Sequence, residues 1–221
     1  MNIFNTPSTG KILLTGFEPF EGAALNPSWE IARSLDGDRI EGLQVHALQL
    51  PCVFARAGAL LHQALRQHRP SLVLSLGLAA GRAEMTPERV AINLADARIC
   101  DNAGAQPLDQ RLRARGPAAY FGTLPVKAMV AALKAQGLPA AVSHSAGTYV
   151  CNAVFYELMH ALSRRRGVRG GFMHVPLAIS DDLIDGQPGL SIDSMRAGVR
   201  AALAAACRDV NDLPLPGGTE H

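Results

Sequence analysis

The stretch KILLTGFEPFEGAALNPSWEIARSL, residues 11–35, carries an apolar run, a loop bounded by glycine and proline, and a helix-period segment, in that order. KILLT (residues 11–15) has the length and composition of a buried strand, and Gly16 ends it. Over residues 27–35, Trp29, Ile31, Ala32 and Leu35 recur at helical spacing, and Pro27 stands in the first turn, where a helix tolerates proline. A strand followed by a helix is the opening half of a parallel crossover. The alternation then repeats. Residues 43–50 read as a second strand closed by Pro51, and Val53, Ala57, Leu60, Leu61, Ala64 and Leu65 recur at three and four. Residues 71–76 (SLVLSL) form a third apolar run before the small-residue turn GLAAGR.

Further along, residues 90–94 are a fourth strand candidate, and residues 96–120 read as a long ordered loop rich in Asp, Asn, Gly, Pro and Arg. Helical patterns are expected over residues 127–136, 148–163 and 191–210, and short strands over 140–143 and 171–176. Nothing resembling a linker or a repeat divides the chain. The expectation is one α/β/α domain over residues 1–221, its mainly parallel, twisted sheet covered on both faces. The termini, residues 1–10 and 212–221, are expected to fray.

Composition removes several function classes. Of 221 residues, 48% are hydrophobic and 18% charged, which excludes a disordered chain. A net charge of +2 with no long run of either sign gives no basic stripe for nucleic acid. No apolar stretch approaches the roughly 18 to 20 residues that a membrane helix needs, and the N-terminus lacks the pattern of a signal peptide. Cys52, Cys100, Cys151 and Cys207 are scattered without a CxxC pair, so free thiols in the cytoplasm are expected rather than a zinc ribbon or a disulfide scaffold.

In a parallel open sheet the ligand lies beyond the carboxyl ends of the strands. After the first strand come Phe17 and Phe20, two of only seven phenylalanines. They either wall an apolar pocket or cap the end of the sheet. The loop lacks the spacing of a dinucleotide or P-loop motif. Cys151 stands at the start of the 148–163 helix, where the helix dipole favours a thiolate and free N–H groups could hold an oxyanion. A cysteine on an apolar helix face also serves as a plain small hydrophobe. His174, in GFMHVP, is either a core histidine or a base at the same sheet edge. Glu88 opens the fourth strand candidate. Cysteine–histidine chemistry needs a base and a group that orients it, and Cys151, His174 and Glu88 supply those types.

Five ordered blocks add a resemblance: GFEPFEGAALNPS, TPERVAINLADARICDNAG, TLPVKAMV, SAGTYVCNAVFYELMH and GGFMHVPL. Together, from residue 11 to at least 176, they resemble the pyroglutamyl peptidase I family. The resemblance implies a cytosolic cysteine peptidase that removes N-terminal pyroglutamate from peptides, using neither metal nor cofactor. It implies a fold like that of the nucleoside phosphorylases and assembly as a homo-oligomer, a tetramer in bacterial members. It places the catalytic glutamate on Glu88, the nucleophile on Cys151 and the histidine on His174. Phe17 and Phe20 become the walls around the flat lactam ring, and Asn26 a hydrogen-bonding neighbour. The chain departs from the family pattern at Leu78, where relatives carry glutamine, at Cys100 for proline and at Glu21 for glycine. At Leu78 only a main-chain carbonyl contact with the substrate would survive. Two readings from other classes stand beside this one: a nucleoside phosphorylase or hydrolase on fold alone, and a binder of pyroglutamyl termini without turnover.

Overall fold

The computed structural model of the chain describes residues 10–179 and 188–218. In chain order the elements are β1 (Lys11–Phe17), α1 (Pro27–Ser34), β2 (Arg39–Ile40), β3 (Leu43–Leu50), α2 (Phe54–His68), β4 (Leu72–Leu78), β5 (Thr86–Glu88) and β6 (Val90–Ile92). They continue with β7 (Ala119–Phe121), α3 (Val126–Ala135), α4 (Val150–Leu162), β8 (Arg169–Val175), β9 (Leu177–Ala178), β10 (Gly189–Leu190) and α5 (Ile192–Arg208).

The central sheet runs in the order β2-β3-β1-β4-β8-β5. Its four middle strands are parallel, and the short edge strands β2 and β5 run antiparallel to their neighbours. Period-two alternation divides the strand side chains between two cores. Ile12, Leu14, Leu74 and Met173 join one cluster with residues of α1, α3 and α5. Leu13, Val73 and Phe172 join the other with residues of α2 and α4. A chain that steps from β1 to β3 on one side, then back past β1 to β4, keeps right-handed crossovers only if α1 and α2 lie on opposite faces. They do. The parallel strands end together, so that Phe17 closes β1, Leu78 closes β4 and His174 lies one residue short of the end of β8.

Packing of α1 onto β1 explains Gly16. A Cβ there would lie 2.3 Å from the Ser28 carbonyl oxygen, so only glycine lets the helix approach. Asn26 caps α1: its Oδ1 accepts from the Ser28 N–H at 3.1 Å and from the Ser28 hydroxyl at 2.8 Å.

Three expectations change. The 90–94 candidate is β6, which pairs with β7 in a separate two-stranded ribbon instead of joining the sheet. Residues 140–143 form only isolated parallel bridges, Met85 with Ala140 and Glu88 with Ser143. The edge strand in that region is instead β5, three residues long with Pro87 at its centre, a length and composition that give no periodic signal. Residues 212–218 are also tied down at two points, while residues 1–9 and 219–221 lie outside the described residues. The Asp212 carboxylate accepts from the Lys127 and Ala128 N–H groups at the start of α3, and His144 contacts the Gly217 carbonyl. Among the described residues no helix is long and apolar enough to cross a membrane.

Candidate active site

At the carboxyl ends of β1, β4 and β8 lies a cavity of about 390 Å³, within the range of small-molecule sites. Its walls include Phe17, Phe20, Asn26, Cys52, Leu78, Tyr149, Cys151 and His174.

Strand register assembles the polar part. In the antiparallel β5–β8 pair, Thr86 lies opposite His174 and Glu88 opposite Phe172. Residues two apart share a face, so Glu88 and His174 are diagonal neighbours on one side of the sheet. Their side chains meet, His174 Nδ1 to Glu88 Oε1, at 2.7 Å. That bond sets the tautomer: Nδ1 carries the proton and Nε2 keeps its lone pair. Both residues are buried. Burial lowers the His174 pKa below the ordinary histidine value; Glu88 pulls it up and the Arg82 guanidinium pushes it down. The imidazole therefore rests neutral.

Cys151 reaches the same place from the other layer. It is the second residue of α4, whose N-cap residue, Tyr149, makes no side-chain hydrogen bond to the first turn. The N–H groups of that turn have no helical partner. Gly77 is the β4 neighbour of His174 across the β4–β8 pair. A Cβ on Gly77 would lie 2.8 Å from the Cys151 sulfur, so the thiol stands over the strand position beside the imidazole. Burial pushes the thiol pKa up, with Cys52 and Glu88 adding to it, while Arg82 and the backbone N–H of Cys151 itself work the other way. Burial outweighs both. The thiol rests protonated.

The apolar walls differ in character. Phe17 is buried in the core beneath the cavity, its ring 6.5 Å from that of Phe172. Phe20 is half-buried and faces Tyr149, with ring centroids 6.2 Å apart. Glu18, between the two phenylalanines, ties their loop down: its Oε1 accepts from the Cys52 N–H at 3.0 Å and the Asn102 side chain at 2.8 Å. The Asn26 Nδ2 donates to the Glu18 carbonyl at 3.1 Å. With its oxygen committed to Ser28, Asn26 keeps one N–H for a ligand. The long loop closes one side of the cavity. Arg98 lines the cavity, and Tyr149 donates its hydroxyl hydrogen to the Cys100 carbonyl at 3.0 Å.

Comparison with known proteins gives the family. A family model described as pyroglutamyl peptidase matches residues 10–209. The chain belongs to the pyroglutamyl peptidase family. A pyrrolidone-carboxylate peptidase of Cupriavidus taiwanensis is 53% identical over 213 residues, covering 95% of this chain and 99% of that protein. Its counterpart in Bacillus subtilis is 48% identical over 212 residues, covering 96% and 99%. The crystal structure of pyroglutamyl peptidase I from Bacillus amyloliquefaciens superimposes with a TM-score of 0.91 at 42% identity, covering 94% of this chain and all of that one. Membership makes the protein a hydrolase of the cysteine-peptidase class, on an α/β fold shared with the solved pyroglutamyl peptidases.

Within this family frame, Glu88, Cys151 and His174 come together, and Phe17, Phe20, Asn26 and Leu78 all line the same cavity. Sequence reading passed over Arg82, Cys52, Tyr149 and Arg98 as contributors. Arg82, Arg98 and Tyr149 each lie within a stretch already singled out, the GLAAGR turn, the long loop and the 148–163 helix, but what places their side chains, and that of Cys52, at the cavity is tertiary.

Proposed function

We propose that the protein removes the N-terminal pyroglutamyl residue from peptides, with Cys151 as nucleophile, His174 as general base and acid, and Glu88 as the residue that orients His174. The observation that carries this reading is the Glu88–His174 bond of 2.7 Å in a cavity that also exposes the Cys151 thiol.

The chemistry follows from the resting protonation states. With the thiol protonated and the imidazole neutral, His174 Nε2 takes the S–H proton as sulfur bonds to the pyroglutamyl carbonyl carbon. The oxyanion that forms is held by the first-turn N–H groups of α4. His174 then gives its proton to the departing amine as the C–N bond breaks, which leaves a thioester on Cys151. Water, deprotonated by His174, attacks that thioester, and C–S cleavage returns the thiol and free pyroglutamate. Glu88 favours the transient imidazolium at each stage.

The cavity suits the substrate's chemistry. Pyroglutamate is a flat, uncharged lactam with one N–H and one C=O. Phe17 and Phe20 flank the ring, the spare N–H of Asn26 donates to its carbonyl, and the Leu78 main-chain carbonyl accepts from its N–H. An open glutamate would bring an ammonium and a carboxylate into the same apolar walls without partners, at a cost that excludes it. No step in this scheme calls on a metal or a cofactor.

Cytoplasmic residence belongs to the same reading, supported by four unpaired cysteines, and so does assembly as a homotetramer, for which the exposed apolar side chains of Phe121 and Val210 offer surface. The test of function is release of a chromogenic amine from its pyroglutamyl amide, with and without prior iodoacetamide and with a chelator control. Release that alkylation abolishes and chelation spares is the expected result. No release from folded protein, with pyroglutamyl peptides still bound, would replace the enzyme by a binder.

A further inference from the structure

We propose that Arg82 is a positioning residue of the reaction: one guanidinium holds the Glu88 carboxylate and the turn that delivers Cys151 in a single arrangement. This rests on the catalytic assignment above and concerns a residue to which that assignment gives no role.

Arg82 ends the GLAAGR turn after β4 and lines the cavity. Its Nη1 donates to Glu88 Oε1 at 2.8 Å, the same oxygen that meets His174, and to the Thr86 hydroxyl at 2.6 Å. Its Nη2 donates to the Ser145 carbonyl at 3.1 Å. Ser145 belongs to the turn that precedes α4, where the Ser145 N–H reaches the Ser143 hydroxyl and the Gly147 N–H reaches the Ser145 hydroxyl. One planar group thus spans the base-orienting carboxylate and the segment leading into the nucleophile's helix. A fork of fixed geometry does this; a single ammonium does not.

The cation also sets a charge balance. Glu88 is wholly buried, and its second oxygen, Oε2, has no hydrogen-bond partner among the described residues. All of its polar contacts therefore pass through the oxygen that Arg82 and His174 share. The groups facing His174 are Glu88 from β5, Arg82 from the β4–β5 turn and the Cys151 thiol from α4, while Arg98 enters the cavity from the long loop. Glu88 draws a proton onto the imidazole and Arg82 opposes it. Without the cation, only burial still opposes the carboxylate, so the imidazole protonates at higher pH and the base is lost earlier as pH falls.

The test compares pH profiles of kcat and KM for the unaltered enzyme, Arg82→Gln and Arg82→Lys, with thermal unfolding recorded for each. Arg82→Gln is expected to move the acidic limb of kcat/KM to higher pH, so that below the limb it loses roughly tenfold more activity than on the plateau. Arg82→Lys keeps the charge and loses the fork; its limb should stay in place while kcat falls several-fold at every pH. Equal losses at all pH for both variants, or a change confined to KM, would overturn the proposal. So would an unchanged kcat in Arg82→Lys, which decides the matter if the glutamine variant fails to fold. Full activity in Cys151→Ser would instead sink the catalytic assignment itself, and the two failures are read from different variants.

Discussion

The sulfur of Cys151 fills the space that a side chain on Gly77 would need. Because Gly77 is also the strand neighbour of His174, one missing Cβ lets the thiol and the imidazole, the proposed nucleophile and base, share a wall of the cavity. Gly77→Ala would place its methyl group 2.8 Å from that sulfur and from the Phe172 ring edge, so the thiol must move. Displacement of a reacting atom by about 1 Å costs on the order of a hundredfold in rate. The expected outcome is a kcat/KM loss of that order in a protein that still folds, with slower alkylation of Cys151, measured by steady-state kinetics and timed labelling.

The pH profile should be one-sided. Burial and Arg82 hold His174 below the ordinary value near 6.5, against the upward pull of Glu88, so the imidazole, the proposed base, stays neutral into mildly acidic solution. Activity is lost only when falling pH protonates it, which puts the limb below pH 6.5. On the alkaline side the thiol, its pKa pushed up, stays protonated, and its proton leaves during attack, so no second limb is expected near neutrality. Measuring kcat/KM from acid to alkaline pH checks this. A bell centred near neutrality would indicate a thiolate–imidazolium pair at rest.

The two phenylalanines should separate on mutation. Phe17 is core as well as wall, so Phe17→Ala should cost roughly 3–5 kcal/mol of stability in addition to raising KM. Half-buried Phe20 has a lighter structural task, and Phe20→Ala should raise KM with a much smaller change in unfolding free energy. Paired denaturant titrations and kinetics on the two variants decide it. Equal stability losses would make Phe20 a core residue too.

Glu21 adopts φ 52°, a left-handed backbone that disfavours any residue with a Cβ. Relief of that strain exceeds the entropy glycine adds to the unfolded chain, so Glu21→Gly should stabilise the protein by up to about 1 kcal/mol. A lower melting temperature in the variant would show that the Glu21 side chain makes a compensating contact.

Much of this architecture is legible in the sequence itself. Apolar runs such as SLVLSL and the helical spacing through residues 53–65 reported layers directly, because burial on two faces and on one face leave different periods. Failures came where pairing is non-local. Val90 to Ile92 has strand composition, but its partner is Tyr120 and its neighbours, nearly thirty positions on, so composition alone could not say which sheet it joins. Glu88 and His174 were nameable as chemical types, yet their contact depends on the β5–β8 register, and β5 is too short and too interrupted by Pro87 to read. Arg82 was invisible as a brace for the same reason: its partners Glu88 and Ser145 meet only once the sheet edge is folded.

The proposed mechanism turns on a covalent bond between the substrate and one named sulfur. Mixing the enzyme with a pyroglutamyl ester, quenching in acid within the first turnover and mapping the peptides by mass tests it most directly. The expected result is a pyroglutamyl adduct on the peptide carrying Cys151, absent after alkylation of that thiol. Undiminished turnover with Cys151 fully alkylated, or an adduct that maps to another residue, would contradict it.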